Sequence, residues 1–161
     1  MILRCCTQRV ERTRKRLSRR LCGSLAAALL CLDAGGALAE PVIGQVKRAE
    51  GIAFIISNGV STPAEIGSFV RAKDTLITGS SGSLGVTLRD DTRLSLGPTS
   101  AMLMKEFEFD LMADKHRFVG EMTKGSLLYE SHWEGKYAAV ETPNATIGIR
   151  GTRFLLRVHN D

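Results

Sequence analysis

Ser83-Leu84-Gly85-Val86-Thr87-Leu88-Arg89-Asp90-Asp91-Thr92-Arg93-Leu94-Ser95-Leu96-Gly97-Pro98 carries the clearest structural signal in the chain. Leu84, Val86 and Leu88 alternate with small or polar residues, which places every second side chain on one face of an extended strand. Arg89-Asp90-Asp91 is a polar turn, because aspartate side chains hydrogen-bond nearby backbone amides. Leu94 and Leu96 then resume the alternation until Gly97-Pro98 stops it. Two short strands joined by a tight turn are the direct reading.

The same grammar runs outward in both directions. Gly51 to Ile56 is a β-rich run that ends at Asn58-Gly59, the strongest short hairpin signal. Met102 to Asp110 reads as a longer strand. Phe118 to Met122, Leu127 to Tyr129, Tyr137 to Val140 and Phe154 to Val158 supply further strands, separated by Lys124-Gly125, Glu134-Gly135 and Pro143-Asn144. No window carries a sustained 3.6-residue apolar stripe, so helices are expected to be few. The expected fold is all-β, a short-stranded solenoid-like stack or a small sandwich. The absence of a fixed-length repeat argues against a regular array.

The N-terminus has a different character. Residues 1–39 contain eight Lys/Arg and two acids, followed by an apolar-rich run of about 12 residues from Leu21 to Leu32. A spanning helix needs roughly 20 apolar residues. Small residues at Ala37 and Ala39 form the A-x-A pattern that a signal peptidase reads. The expectation is a signal peptide over 1–39, cleaved after Ala39, and a single domain over 40–161 that is periplasmic or secreted. Ser18-Arg19-Arg20-Leu21 leaves both the general secretory and the twin-arginine routes open. No stable transmembrane anchor is expected.

Removing that stretch changes the chain's electrostatics and its redox chemistry. Taking its eight basic and two acidic residues from the chain's 22 and 17 leaves 14 and 15. A near-neutral domain lacks the clustered positive charge that nucleic acid requires, so no nucleic-acid partner is expected. Cys5, Cys6, Cys22 and Cys31 all precede Ala39. The mature domain is therefore expected to have no disulfide, thiolate metal site or cysteine nucleophile.

The remaining chemistry-bearing residues read mainly as structural. Glu106, Glu108 and Asp110 alternate with Phe107 and Phe109, giving a strand one acidic and one aromatic face. Oxygen ligands suit calcium, but no Asp/Gly-rich loop gathers the six or more that it takes. His116, His132 and His159 lack the i, i+4 spacing that binds zinc from one element. Gly79-Ser80-Ser81-Gly82 lacks the lysine of a phosphate loop and reads as a turn. No catalytic residues, metal or cofactor are assigned, and no enzyme is expected. Trp133, beside a turn, is a candidate ligand or partner contact, either stacking on a sugar or docking a protein.

Glu141-Thr142-Pro143-Asn144-Ala145-Thr146-Ile147-Gly148-Ile149-Arg150-Gly151-Thr152 is the most specific segment. It reads as a proline-initiated turn, a small-residue strand, and an arginine between two glycine-containing steps. Glycine allows unusual backbone angles and close approach. A guanidinium carries five donors in a fixed fork, so Arg150 suits either an internal clasp on exposed carbonyls or a contact to an anion or partner. Thr142, Pro143, Gly148, Arg150, Gly151 and Thr152 are the motif residues taken as structural or partner contacts.

Together with other segments, this one resembles the FecR-domain family. Gly44-Gln45-Val46 and Glu50-Gly51 resemble its opening, and Lys73-Asp74-Thr75-Leu76-Ile77-Thr78-Gly79 its "gD-x-i-x-Tg" segment. Asp90 to Pro98 resembles its "f-x-D-g-s-x-l-x-l" hairpin, with Asp91 where glycine is usual. Lys124-Gly125-Ser126-Leu127 resembles its "x-G-x-l" strand, and Thr142-Pro143 through Gly148-Ile149-Arg150-Gly151-Thr152 its TP…GIRGT hallmark. The resemblance implies an extracytoplasmic β-rich domain of the bacterial envelope. Its best-known members are inner-membrane regulators that sense an outer-membrane transporter and control a sigma factor. This chain shows no cytoplasmic anti-sigma segment, so that regulation is not carried over. The expected function is a non-catalytic binding or interaction module whose partner is an unidentified envelope protein. The alternative is a carbohydrate- or cell-envelope-binding module that recognises a glycan.

Overall fold

The computed structural model describes residues 40–132, 137–149 and 153–159. The assigned signal peptide, Trp133 and the Arg150-Gly151-Thr152 end of the motif lie outside the described residues. Among those described, the chain is all-β: twelve strands and no helix. In chain order they are β1 (Val42–Glu50), β2 (Ala53–Ser57), β3 (Val60–Pro63), β4 (Phe69–Arg71), β5 (Thr75–Thr78), β6 (Ser83–Leu88), β7 (Arg93–Leu96), β8 (Ala101–Asp110), β9 (Lys115–Glu130), β10 (Tyr137–Thr142), β11 (Ala145–Ile149) and β12 (Arg153–Val158).

One hydrogen-bonded path runs β3-β2-β5-β8-β9-β7-β6-β1-β4, and β10 with β11, and β12, branch from β9. Every pairing is antiparallel except β9 with β10. The opening stretch becomes β6 and β7, with Leu84 facing Leu96 and Val86 facing Leu94 across the pair. Asn58 and Gly59 close the β2–β3 hairpin with φ of 50° and 80°, the left-handed pair that matches strand twist.

The seam of the molecule is β9. Its first half pairs with β8 on one side and β10 on the other, and its second half pairs with β7 and β12. Lys124-Gly125, expected to separate two strands, instead lies within this continuous 16-residue strand. The separation expected there was a real signal of another kind. Phe118, Gly120 and Met122 face inward, and beyond Gly125 the buried positions shift to Leu127 and Tyr129. A residue in the left-handed region allows that change of phase without breaking the strand, and Gly125 has φ +95°.

β8 makes the same kind of shift. Met102 and Met104 point into the core, and the register slips between Met104 and Glu106. Phe107 then packs on the core while Glu106 and Glu108 stay outside. All of β1, β2 and β4–β10 contribute buried apolar side chains to one core, including Ile43, Ile55, Val70, Leu76, Leu94 and Leu127. Burying each large aliphatic side chain contributes about 1.5–3 kcal/mol.

Candidate functional site

The turn between β6 and β7 turns its chemistry inward. The N–H of Asp91 donates to the carbonyl of Leu88 (3.1 Å), and Leu88 N–H to that of Thr92 (2.8 Å). Asp91 takes up the left-handed conformation, φ 62°, at the position where glycine is usual in the resembling motif. The Asp90 carboxylate accepts the Thr92 N–H at 3.0 Å and the Thr92 hydroxyl at 2.8 Å. Thr92 Oγ1 also lies 3.2 Å from Ser131 Oγ. Asp90, Thr92 and Ser131 are all buried, so Asp90 organises a buried corner while Arg89 and Asp91 stand exposed on either side of it.

Tyr129 completes that corner. Burial pushes its phenol above the ordinary tyrosine range, and the nearby Asp90 adds to this, while hydrogen bonds with Ser131 and Thr92 pull it back in part. The unfolded chain therefore loses this proton before the folded chain does. Stability contributed here is full below the unfolded value of about 10 and falls as pH rises through it. Urea midpoints measured across the alkaline range should show that decline, and Tyr129→Phe should make it shallower.

Asp74 plays the corresponding part beneath β5. It is 3% exposed. Its carboxylate accepts the Arg71 N–H at 2.7 Å and a short hydrogen bond from the Ser57 hydroxyl. Lys73, at φ 65°, makes the bend that allows this. The sequence marked Asp74 only as part of the resembling "gD" segment, and its capping role follows from the burial and contacts of the folded chain.

The outer face of β8, β9 and β10 carries a lattice in which two cations meet several carboxylates. Arg117 Nε lies 2.7 Å from Glu106 Oε2, and its guanidinium stands 4.6 Å above the Tyr137 ring centre. Lys105 is hydrogen-bonded to Glu141 and lies 3.7 Å from Glu121. The hydrogen bonds to Glu141 and Glu106 raise the Lys105 and Arg117 pKa values respectively. Both cations are solvent-facing, so these pairs add little stability. Between them sit the buried Val119 and Ala139, directly paired across β9 and β10. Glu106 is thus tied up in an ion pair. Asp110, the third carboxylate of the acidic alternation, accepts the N–H groups of Met112 and Ala113 at 2.9 and 3.1 Å.

The three histidines are apart. His116 packs edge-on against Phe109, with ring centres 4.8 Å apart, while His132 and His159 are exposed on other segments. Gly79 to Gly82 forms a turn, closed by the Gly82 N–H to Gly79 carbonyl bond at 3.0 Å.

Thr142, Pro143 and Gly148 lie on the β10–β11 hairpin. The Thr142 hydroxyl donates to the Ala145 carbonyl at 2.9 Å and accepts the Ala145 N–H at 3.1 Å, clamping the Pro143-Asn144 turn. β10 and β11 then run in register from Thr142–Ala145 to Ala138–Ile149. The close approach expected of the motif's glycines is not made at Gly148. Its φ lies outside the left-handed region, and a Cβ added there meets no atom within 4 Å. Gly148 instead leaves the outer face of β11 bare. Among the described residues β11 pairs with β10 alone, and all five of its residues are exposed or half-exposed.

An all-β module with buried aspartate-capped turns and an open hairpin edge is the class that this geometry defines. The family model for FecR protein matches residues 74–161, and the chain belongs to that family. The match begins at Asp74, so it takes in β5 to β12. The resembling segments at Gly44 and Glu50 precede it. No curated protein matches the chain, and no solved structure does.

Proposed function

We propose that this chain acts outside the cytoplasm as a non-catalytic interaction module that docks a protein partner along an open strand edge. The observation that carries this reading is the pairing pattern. Among the described residues β3, β4, β11 and β12 each have a single partner strand, so each offers backbone N–H and C=O groups to an incoming strand. Family membership supports an envelope-signalling setting. Asp74, Asp90 and Asp110 are engaged in capping their own turns, which favours a structural and binding role for them over catalysis.

Export is tested by sequencing the N-terminus of the protein recovered from the extracytoplasmic fraction of a bacterial host. Glu40 is expected as the first residue, and β1 starts only at Val42, so the cut spares every described strand. An intact Met1 in the cytoplasmic fraction would overturn the localisation. Docking is tested by placing a photo-reactive residue at the exposed positions Thr62, Phe69, Gly148 or Arg157 in the native envelope. A discrete protein adduct at one edge is expected. Peptidoglycan binding lost in Trp133→Ala, with no adduct at any edge, would replace protein docking by the glycan reading.

A further inference from the structure

We infer that β11 is a self-pairing edge, through which two copies of this chain join their sheets about a two-fold axis at Ile147. This rests on the edge-docking reading and names its partner. Natural sheets guard their edges with charge, proline, bulges or brevity. β3 ends in Pro63 and β4 has three residues. β12 carries the exposed Arg153 and Arg157. An antiparallel β12 pair centred on Leu155 would set Arg153 of one copy against Arg157 of the other, and directly opposed like charges repel.

β11 has none of these guards. Ala145-Thr146-Ile147-Gly148-Ile149 holds no charge and no proline, and its pairing with β10 runs without a bulge. Three of its five residues are β-branched, the type that favours strands. Antiparallel pairing centred on Ile147 sets Ile147 against Ile147, Thr146 against Gly148 and Ala145 against Ile149. No position meets a like charge. Among the described residues the nearest charge on the outer face is Glu141, one strand back beside Thr146 and already bonded to Lys105. Gly148 leaves free space where Thr146 of the second copy would stand. The half-exposed Ile147 and Ile149 would gain cover from their counterparts. A two-fold contact of this kind closes on itself, so the product is a dimer and not a filament.

The test is sedimentation velocity of the full chain over a concentration series. A concentration-dependent monomer–dimer equilibrium is expected. Gly148→Lys combined with Thr146→Lys places two lysine pairs face to face across the axis and should weaken the dimer about tenfold or more. Both positions are exposed, so the circular dichroism spectrum should be unchanged. Mixing that variant with Thr146→Glu/Gly148→Glu should restore a heterodimer, an outcome that also shows both variants to be folded. A chain that stays monomeric at every concentration, a dimer untouched by the substitutions, or a lysine–glutamate mixture that fails to pair would each overturn the inference. Photo-adducts to another envelope protein at Thr62, Phe69 or Arg157 would leave the docking reading standing, so the two failures are distinguishable.

Discussion

Gly125→Ala is expected to lower the stability of the fold by about 3 kcal/mol, the sum of a left-handed backbone penalty and a steric clash. Gly125 sits at φ +95°, where the change of phase occurs within β9. A Cβ there would lie inside contact distance of Ser100 Oγ, Cα and Cβ. Ser100 has no room to yield. It is fully buried, its hydroxyl donates to the Gly97 carbonyl at 2.8 Å, and the same oxygen accepts the Ser126 N–H at 3.0 Å. Alanine would therefore disturb the point at which β9 passes from β8 and β10 to β7 and β12. In urea unfolding the midpoint should fall while the m-value stays the same. A loss under about 1 kcal/mol would show that the strand can relax around the side chain.

Leu94→Ala should cost about as much by a different route. Leu94 is 0% exposed in β7, paired with Val86 on one side and Tyr129 on the other. Truncation leaves a cavity in a core drawn from most strands of the sheet, and buried Leu→Ala changes cost roughly 2–5 kcal/mol. The comparison that makes this informative is Leu155→Ala. Leu155 is also a strand leucine, but 66% exposed, so its loss should fall within about 0.5 kcal/mol. Equal effects at the two positions would mean that the core is not where the structure puts it.

Much of this architecture is written in local pattern. The alternation of Leu84, Val86, Leu88, Leu94 and Leu96 marks two strands and their inner face because a strand repeats every two residues. Asn58-Gly59 and Pro143-Asn144 mark hairpin turns because few residues accept the required backbone angles. Glu106, Glu108, Phe107 and Phe109 were assignable to opposite faces of β8 on the same ground. For the candidate site, Thr142 and Pro143 were legible as a turn, and the order of segments pointed to the family before any pairing was known.

Tertiary structure decided what depends on neighbours distant in sequence. A period of two says which face a residue takes but not which strand lies beside it. Only the fold makes β9 one strand with four partners, and only the fold sets β10 parallel to it. Asp90 reads from sequence as a turn residue in water. Its burial follows from Ser131 and Tyr129, brought to it from the far end of β9. The bareness of β11 has the same origin. Nothing in Ala145 to Ile149 distinguishes an edge strand from a central one, because that distinction belongs to whether a further strand follows in the sheet. Local pattern was enough to mark an all-β chain of the FecR family with short, aspartate- and glycine-punctuated strands. Which aspartates are buried and which edges stand open was settled by long-range pairing.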